Sequence, residues 1–359
     1  MKKVVLIGTQ GIPARYGGFE TLVENLVNKK CSHEIEYTVF CSSIDISTRE
    51  RVCNGATLKY IPVKANGIWS TLYDTISLLK VIRGYDIIVV LGVSGGMFFP
   101  IFKLLCRKKL IVNIDGLEWK RDKWKGFAKF FLRLCEEFAL RFSDVVIADN
   151  QGIVDYIRKR YKKKTVLIAY GSDHVKRELP EPEHQAILNH FGVLEKDYCI
   201  SICRIEPENN CEMILNVFAR TNKSLIFIGN WNRGEYGRNL REKYTKYANI
   251  KLVNAIYELD ILYVLRSHCK AYVHGHSAGG TNPSLVEAMF CKCNVLAFDV
   301  VYNRETTNNK AYYFKDGIDL EQFLSDEKNI KNNASVMYEL AMERYTWTKI
   351  AKEYEMLYC

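Results

Sequence analysis

The side chains best suited to chemistry lie in loops that follow short apolar runs. The richest is His274-Gly275-His276-Ser277-Ala278-Gly279-Gly280-Thr281-Asn282-Pro283-Ser284-Leu285-Val286-Glu287-Ala288-Met289, with a strand expected before it and a helix after it. Gly279 and Gly280 permit an unusual backbone turn, Thr281 or Asn282 can cap the helix, and Pro283 suits its first position. The unpaired N–H groups and the dipole of such a helix start favour a diphosphate. Glu287 lies near the next turn and can accept hydrogen bonds from ribose or sugar hydroxyls. The plainer alternative is a well-capped structural helix. His274 and His276, with His268 nearby, raise the question of a metal, but no cysteine or carboxylate completes a known ligand spacing. His276 reads better as a contact to phosphate or sugar, and no metal is expected.

Two arginines occupy comparable places. Arg204 follows the run Tyr198–Cys203, where it can meet a phosphate unless it pairs with Glu206 or Glu208. Arg233 sits in the turn Gly229-Asn230-Trp231-Asn232-Arg233-Gly234 and is a weaker phosphate candidate. Near the start, Gly8-Thr9-Gln10-Gly11-Ile12-Pro13-Ala14-Arg15-Tyr16-Gly17-Gly18-Phe19-Glu20-Thr21 follows the run Val4–Ile7. Its glycine spacing is not the dinucleotide fingerprint, and no Gly-Lys-Ser/Thr follows to make a P-loop. It reads either as a flexible crossover loop or as part of a sugar or phosphate site, with Gly17, Gly18, Arg15 and Glu20 as the residues of interest. Asp115 and Glu118, in Asp115-Gly116-Leu117-Glu118, can hydrogen-bond an acceptor hydroxyl, or Asp115 can cap a helix. No Gly-x-Ser-x-Gly elbow is present, which argues against covalent hydrolase chemistry.

Charge divides the chain. The net charge is +10, but residues 1–180 carry +12 and residues 181–359 carry −2. The basic half suits a polyanion or an anionic membrane, and no zinc finger or basic-aromatic sheet signature points to nucleic acid. Within it, Trp119-Lys120-Arg121-Asp122-Lys123-Trp124-Lys125-Gly126-Phe127 continues to Phe142, with Phe127, Phe131, Leu134, Phe138 and Phe142 at helical spacing and Trp124 and Phe130 off that stripe. The stripe is either a core face or the apolar side of an interfacial helix. The run Ile87–Leu105 is cut by Gly92, Gly95, Gly96, Pro100 and Lys103 and does not read as a transmembrane span.

These loops need a scaffold of strands ending beneath them. Runs at Val4–Ile7, Tyr37–Phe40, Ile87–Leu91, Leu110–Ile114 and Val145–Ala148 alternate with helical segments such as Phe19–Lys29 and Leu72–Ile82. A second series has strands at Tyr198–Cys203, Ser224–Ile228, Ile250–Val253, Ala271–Val273 and Asn294–Ala297, and helices at Cys211–Ala219, Arg238–Tyr247, Glu258–Leu265 and Asn282–Phe290. This pattern predicts two α/β domains with parallel sheets and ligands at the carboxyl ends of the strands, in a cleft. The stretch 178–183, polar and with two prolines, is the expected boundary, giving domains 1–178 and 185–335. The helical run 336–359, broken near Tyr345-Thr346-Trp347, either caps the second domain or crosses back to the first. Twelve cysteines without framework spacing, and a short apolar start after Met1-Lys2-Lys3, read as a cytosolic chain with reduced thiols.

At these residues the sequence resembles the retaining glycosyltransferases of family 4, whose fold, GT-B, has two Rossmann-like domains facing a cleft. Arg204 matches the arginine of the family's Gly-Arg pair, Cys203 replaces the glycine, and Asn209 stands where a lysine would be. Of the family's paired glutamates, Glu287 matches the second, and Gly279 holds the place of the first. The stretches 8–21, 115–121 and 274–289 closely resemble bacterial rhamnosyltransferases of capsule, rhamnan and O-antigen synthesis. The resemblance implies dTDP-L-rhamnose as donor, no cofactor, and a saccharide acceptor on undecaprenyl diphosphate, met peripherally at the inner face of the cell membrane. It implies a catalytic set of Asp115, Arg204 and Asn282. Donor contacts would come from Arg204, Asn209, Arg233, His276, Gly279, Gly280, Thr281, Asn282 and Glu287. Arg15, Gly17, Gly18, Glu20, Asp115 and Glu118 would form the acceptor side. The rival readings are a relative using a UDP- or GDP-sugar, a UDP-N-acetylglucosamine epimerase working without acceptor, and a membrane scaffold that has lost activity.

Overall fold

The computed structural model describes residues 1–14, 17–47, 49–114, 116, 119, 126–325 and 332–359. The first series of elements is β1 (Lys2–Ile7), α1 (Gly18–Asn28), β2 (Ile35–Ser42), β3 (Val52–Cys53), β4 (Ala56–Ile61), α2 (Ser70–Lys80), β5 (Ile87–Leu91), α3 (Phe99–Leu105), β6 (Lys109–Asn113), α4 (Gly126–Phe142), β7 (Val145–Ala148), α5 (Gln151–Tyr161) and β8 (Val166–Leu167). The second is α6 (Glu181–His190), β9 (Tyr198–Ile202), α7 (Cys211–Thr221), β10 (Ser224–Ile228), α8 (Glu235–Tyr244), β11 (Ile250–Val253), α9 (Leu259–Ser267), β12 (Ala271–His274), α10 (Pro283–Phe290), β13 (Val295–Phe298), α11 (Val301–Thr306), β14 (Tyr312–Phe314), α12 (Gly317–Ser325) and α13 (Ala334–Arg344). A last helix, α14, spans Trp347–Met356.

The chain forms two units, Met1–Gly171 with Trp347–Cys359, and Ser172–Thr346. The first sheet runs β3-β4-β2-β1-β5-β6-β7-β8, parallel except for β3 against β4. The second runs β11-β10-β9-β12-β13-β14 and is parallel throughout. Runs such as Val4–Ile7 and Ile87–Leu91 are buried along their whole length, as central parallel strands covered on both faces must be. In each sheet the strand order reverses once, between β1 and β5 and between β9 and β12. At such a point the loops leave toward opposite faces and open a crevice.

The boundary falls at Gly171–Ser172, not in the stretch 178–183. Those prolines open α6, with Pro180 as its N-cap and Pro182 in its first turn. Proline is tolerated there because the first-turn N–H groups have no helical partner. The tail also divides. The break at Tyr345–Thr346 leaves α13 in the second unit, where Arg344 pairs with Glu305 at 2.8 Å, while α14 belongs to the first. Trp347, Ile350, Ala351 and Tyr354 of α14 join the core that covers α1 and β1. A Cβ on Gly171 would lie 2.5 Å from the Trp347 ring, so the indole seats directly on bare backbone. Glu355 accepts from the N–H groups of Cys31 and Ser32 at 2.8 and 3.0 Å, tying the end of α1 to this last helix.

Of the two readings of its aromatic stripe, helix α4 does not bury the stripe as a core face. Its buried residues are Leu132, Cys135, Glu136, Ala139 and Leu140. Phe127 and Phe130 are exposed, and Phe131, Phe138 and Phe142 are only half-buried, pairing as Phe127–Phe131 and Phe138–Phe142 at centroid distances of 6.4 and 5.9 Å. The smaller side chains face inward because the helix packs closely on backbone. A Cβ on Gly96 would lie 2.0 Å from the Cys135 carbonyl oxygen. Trp124 lies outside the described residues.

Candidate active site

The second unit's switch point assembles most of the nominated residues. Strands β9 and β12 are parallel neighbours, with Cys199 opposite Ala271 and Ile200 opposite Tyr272, so the loops that follow them emerge side by side. Arg204 follows β9, is exposed to solvent and makes no ion pair among the described residues; neither Glu206 nor Glu208 claims it. The amide of Asn209 bridges the two loops. Its Nδ2 donates to the Arg204 carbonyl at 2.7 Å, and its Oδ1 lies 2.6 Å from His276 Nδ1. With Nδ2 committed as donor, Oδ1 accepts, so His276 carries its proton on Nδ1 and turns Nε2 toward Gly279. Asn209 is itself buried, so it sets the loops instead of standing at a surface where the expected lysine would reach a phosphate. The His276 carbonyl accepts from Asn303 Nδ2 at 2.9 Å, and Ser277 donates through both N–H and Oγ to the Glu208 carbonyl at 2.9 and 2.8 Å.

From there the chain turns through Gly279 at φ +116° into α10. Asn282 is the N-cap; its Oδ1 accepts from the N–H and the hydroxyl of Ser284 at 3.0 and 2.9 Å. That carbonyl is spent on the helix, which favours a capping post for Asn282 over the catalytic one implied by resemblance. Gly280 is half-buried beside it, and Thr281 is buried. His274 is also buried, packs parallel to Tyr272 at 6.0 Å, and has its pKa pushed down to about 3 by burial, so it is a neutral core side chain. Among the described residues no group of three or more His, Cys, Asp or Glu side chains converges as metal ligands would.

Glu287 is partly exposed and receives a hydrogen bond from Arg266 Nη2. Arg266 comes from α9 and is 1% exposed, with Nε and Nη1 unpartnered. Burial opposes its charge, but Glu287 and the neighbouring Cys291, Tyr272 and Cys293 side chains together raise its pKa and keep it protonated. His174 stands close to the pair; burial lowers its pKa, against the pull of Glu287. Arg233 lies on the exposed turn between β10 and α8, above Trp231, whose buried indole donates to the Val253 carbonyl at 2.9 Å.

In the first unit the loop after β1 is folded onto the start of α1. Glu20 is buried and accepts at one oxygen from Thr9 Oγ1 and from the Gln10 N–H, both at 2.8 Å. Burial raises its pKa against those hydrogen bonds. Gly17, at φ +119°, precedes Gly18 as N-cap of α1, and a Cβ there would lie 2.0 Å from the other Glu20 oxygen. Glu20 is thus the internal clamp of this loop, which accounts for it without an acceptor. Arg15, Asp115 and Glu118 lie outside the described residues. Next along the sequence, Trp119 donates its indole N–H to Glu136 Oε2 at 3.0 Å, and Tyr156 and Tyr161 donate to Oε1 at 2.8 Å each. Burial raises the Glu136 pKa in spite of its three donors.

Comparison with known proteins agrees with this architecture. Residues 186–339 match the family described as glycosyl transferases group 1, and residues 1–173 match a domain of unknown function (DUF1972). The chain is a glycosyltransferase with the GT-B fold. No curated protein sequence matches it. Among solved structures the transferase is similar to sucrose-phosphate synthase from Thermosynechococcus elongatus, at 16% identity and TM-score 0.82, over 100% of this chain and 98% of that one. It is similar to Anabaena Alr3699/HepE in complex with UDP-glucose, at 17% identity and TM-score 0.77, over 99% of both chains. A third is a trehalose-6-phosphate protein from E. coli bound with UDP-2-fluoro glucose, at 9% identity and TM-score 0.73, over 100% of this chain and 99% of that one.

Sequence reasoning passed over three residues of the transferase that the structure brings into these sites. Arg266 had a signal, a lone arginine in the otherwise apolar run Leu262, Val264, Leu265 of α9. Asn303 and Glu136 had none that local pattern could supply, since their partners are far along the chain.

Proposed function

We propose that the protein transfers a sugar from a nucleotide sugar to a saccharide acceptor, with retention at the anomeric carbon and a UDP-sugar as donor. The observation that carries the reading is the β9–β12 switch point, where the exposed Arg204 and the start of α10 emerge side by side from neighbouring strands. A guanidinium and a set of helix-start N–H groups held in advance stabilise charge that grows on a departing diphosphate. The bond from the anomeric carbon to the β-phosphate oxygen breaks, a bond to the acceptor oxygen forms on the same face, and the acceptor proton passes to the departing phosphate. Glu287, steadied by Arg266, holds a ribose hydroxyl. His276 and Gly279 shape the turn over the diphosphate, and Arg233 remains a peripheral phosphate contact. Asp115 meets the acceptor.

The UDP-sugar is favoured because UDP-glucose and UDP-2-fluoro glucose are the ligands named for the HepE and E. coli structures. A second reading, dTDP-L-rhamnose, is favoured by the motifs at 8–21, 115–121 and 274–289. The excess of +12 in residues 1–180 supports a lipid-diphosphate saccharide as acceptor, reached at the inner face of the membrane.

The test is release of nucleoside diphosphate from a panel of UDP-, dTDP- and GDP-sugars, with and without a bacterial lipid extract. Turnover of a UDP-sugar that requires the extract is the expected result. Turnover of dTDP-L-rhamnose alone transfers the proposal to the second donor. Conversion of a UDP-sugar without acceptor overturns transfer in favour of epimerisation.

A further inference from the structure

Building on the membrane-borne acceptor proposed above, we infer that the outer face of α2, α3 and α4 is the surface by which this protein docks on an anionic lipid bilayer. The three helices lie side by side on one face of the first sheet. Each belongs to a crossover running the same way along the strand order, β4 to β5, β5 to β6 and β6 to β7, whereas α1 runs the opposite way, and right-handed crossovers put the two sets on opposite faces. Contacts join them directly. A Cβ on Gly95 would meet Asp74 and Leu78 of α2, one on Gly96 would meet Cys135 and Ala139 of α4, and Cys106, just past α3, lies 3.6 Å from the Ile82 carbonyl beyond α2.

Each helix buries one side and bares an apolar stripe on the other. Helix α2 buries Tyr73 and Leu78 but exposes Leu72 and Leu79, with Ile68 and Trp69 exposed just before it. Helix α3 buries Phe99 and Phe102 but exposes Ile101, Leu104 and Leu105. Helix α4 exposes Phe127 and Phe130 at its start. Leu104 is 86% and Phe127 79% exposed. Scattered surface apolar residues need no explanation, but three adjoining helices with apolar outer stripes form a contiguous patch, which marks an interaction surface.

The charge around the patch selects the partner. Exposed Lys80, Arg83, Arg107, Lys108, Lys129 and Arg133 lie on or beside these helices. Among the described residues, the acids beside them are the exposed Glu137 and Asp144 and the half-buried Asp86; Asp144 pairs with Lys103 and Asp86 with Lys108, Asp74 and Glu136 are buried, and cations remain in excess. Apolar side chains to enter the acyl boundary, rimmed by cations for phosphate headgroups, fit an anionic bilayer better than a protein groove. No helix among the described residues is long and apolar enough to cross a membrane, so the contact is one of lying on the surface.

Co-sedimentation of the full chain with phosphatidylglycerol-rich vesicles tests this, with phosphatidylcholine vesicles beside them. Wild type is expected to sediment with the anionic vesicles and to be released by salt. The pairs Ile101→Glu with Leu104→Glu, and Phe127→Glu with Phe130→Glu, are each expected to lower binding about tenfold or more, since a carboxylate replaces an inserting side chain and repels the headgroups. Ile318→Glu, at an exposed apolar position of the second unit, is expected to bind as wild type. Substitution at exposed positions spares the core, and melting curves check this. Unchanged binding by both pairs overturns the proposal, as does a dimer without lipid that both pairs abolish. Sedimentation needs no turnover, so its outcome stands apart from that of the donor panel.

Discussion

A Cβ on Gly279 would lie 3.1 Å from His276 Nε2, in backbone held at φ +116°. The glycine that replaces the glutamate expected by resemblance therefore belongs with a neighbouring imidazole that has taken the space. Gly279→Ala should add about 1–3 kcal/mol of local backbone strain and move His276 off Asn209. Transfer efficiency is expected to fall about tenfold or more, in line with that strain. Gly279→Glu should not restore a family-like site. A gain in kcat/KM from that variant would show that the turn accepts the longer side chain.

Arg204 and Asn209 should separate by stability. Arg204 is exposed, so Arg204→Ala is expected to leave the melting temperature unchanged and to lower kcat/KM on the order of a hundredfold, the scale of losing a preorganised anion contact. Arg204→Lys should recover part of that, as a point charge without the planar fork. Asn209→Ala removes a buried bridge between two loops and should lower stability as well as activity, by about 1–3 kcal/mol. Equal thermal losses in the two alanine variants would contradict this division.

Glu287 and Arg266 form a pair whose arginine is buried and whose carboxylate reaches solvent. Removing one partner of such a pair strands the other. Glu287→Gln is therefore expected to cost about 3 kcal/mol of stability, from a charge left in the interior, besides weakening donor binding. Arg266→Met should cost less stability, because Glu287 can be hydrated, yet should raise the donor KM through a carboxylate no longer held in place. Thermal melts with and without nucleoside diphosphate read both effects. A donor KM that stays at the wild-type value in Arg266→Met would remove the arginine's positioning role.

How much of this was legible in the sequence depends on range. Strands Ile87–Leu91, Val145–Ala148 and Ser224–Ile228 stand where their apolar runs placed them, because burial on both faces leaves no other pattern; the edge strand Ile250–Val253 also stands where it was expected, although Lys251 interrupts its run. Strand β4, with exposed Thr57 and Lys59 alternating with buried Ala56, Leu58 and Ile61, lacks such a run and escaped notice. The prolines at the start of α6 read as a linker because proline at a helix start and proline in a loop look alike locally. The loop before α10 was readable from glycine, cap and proline at fixed offsets. Its supports were not, since the Asn209–His276 and Arg266–Glu287 contacts join separate elements through the tertiary fold. The same holds for α4, where close packing against Gly96 put small side chains inward and left the aromatic ones outside.

Asp74 makes the stability of the protein depend on pH. It projects from α2 into the first unit, is buried, and accepts a hydrogen bond from the Gly95 N–H, with no cation against it among the described residues. Burial pushes its pKa from 3.8 up to about 8. The folded state thus holds this proton more tightly than the unfolded chain does. Its contribution is full below about pH 4, declines as pH rises, and is gone by about pH 8. The whole span amounts to on the order of 5 kcal/mol at most. Asp74→Asn keeps an acceptor for Gly95 and has no charge to bury, so it should stabilise the protein at pH 8 and flatten the slope between pH 4 and 8. Glu20 and Glu136, raised by burial as well, should leave a residual slope of the same sign. Denaturant melts of wild type and Asp74→Asn at pH 5 and pH 8 measure the difference. A variant no more stable than wild type at pH 8 would mean that Asp74 ionises in the fold at little cost.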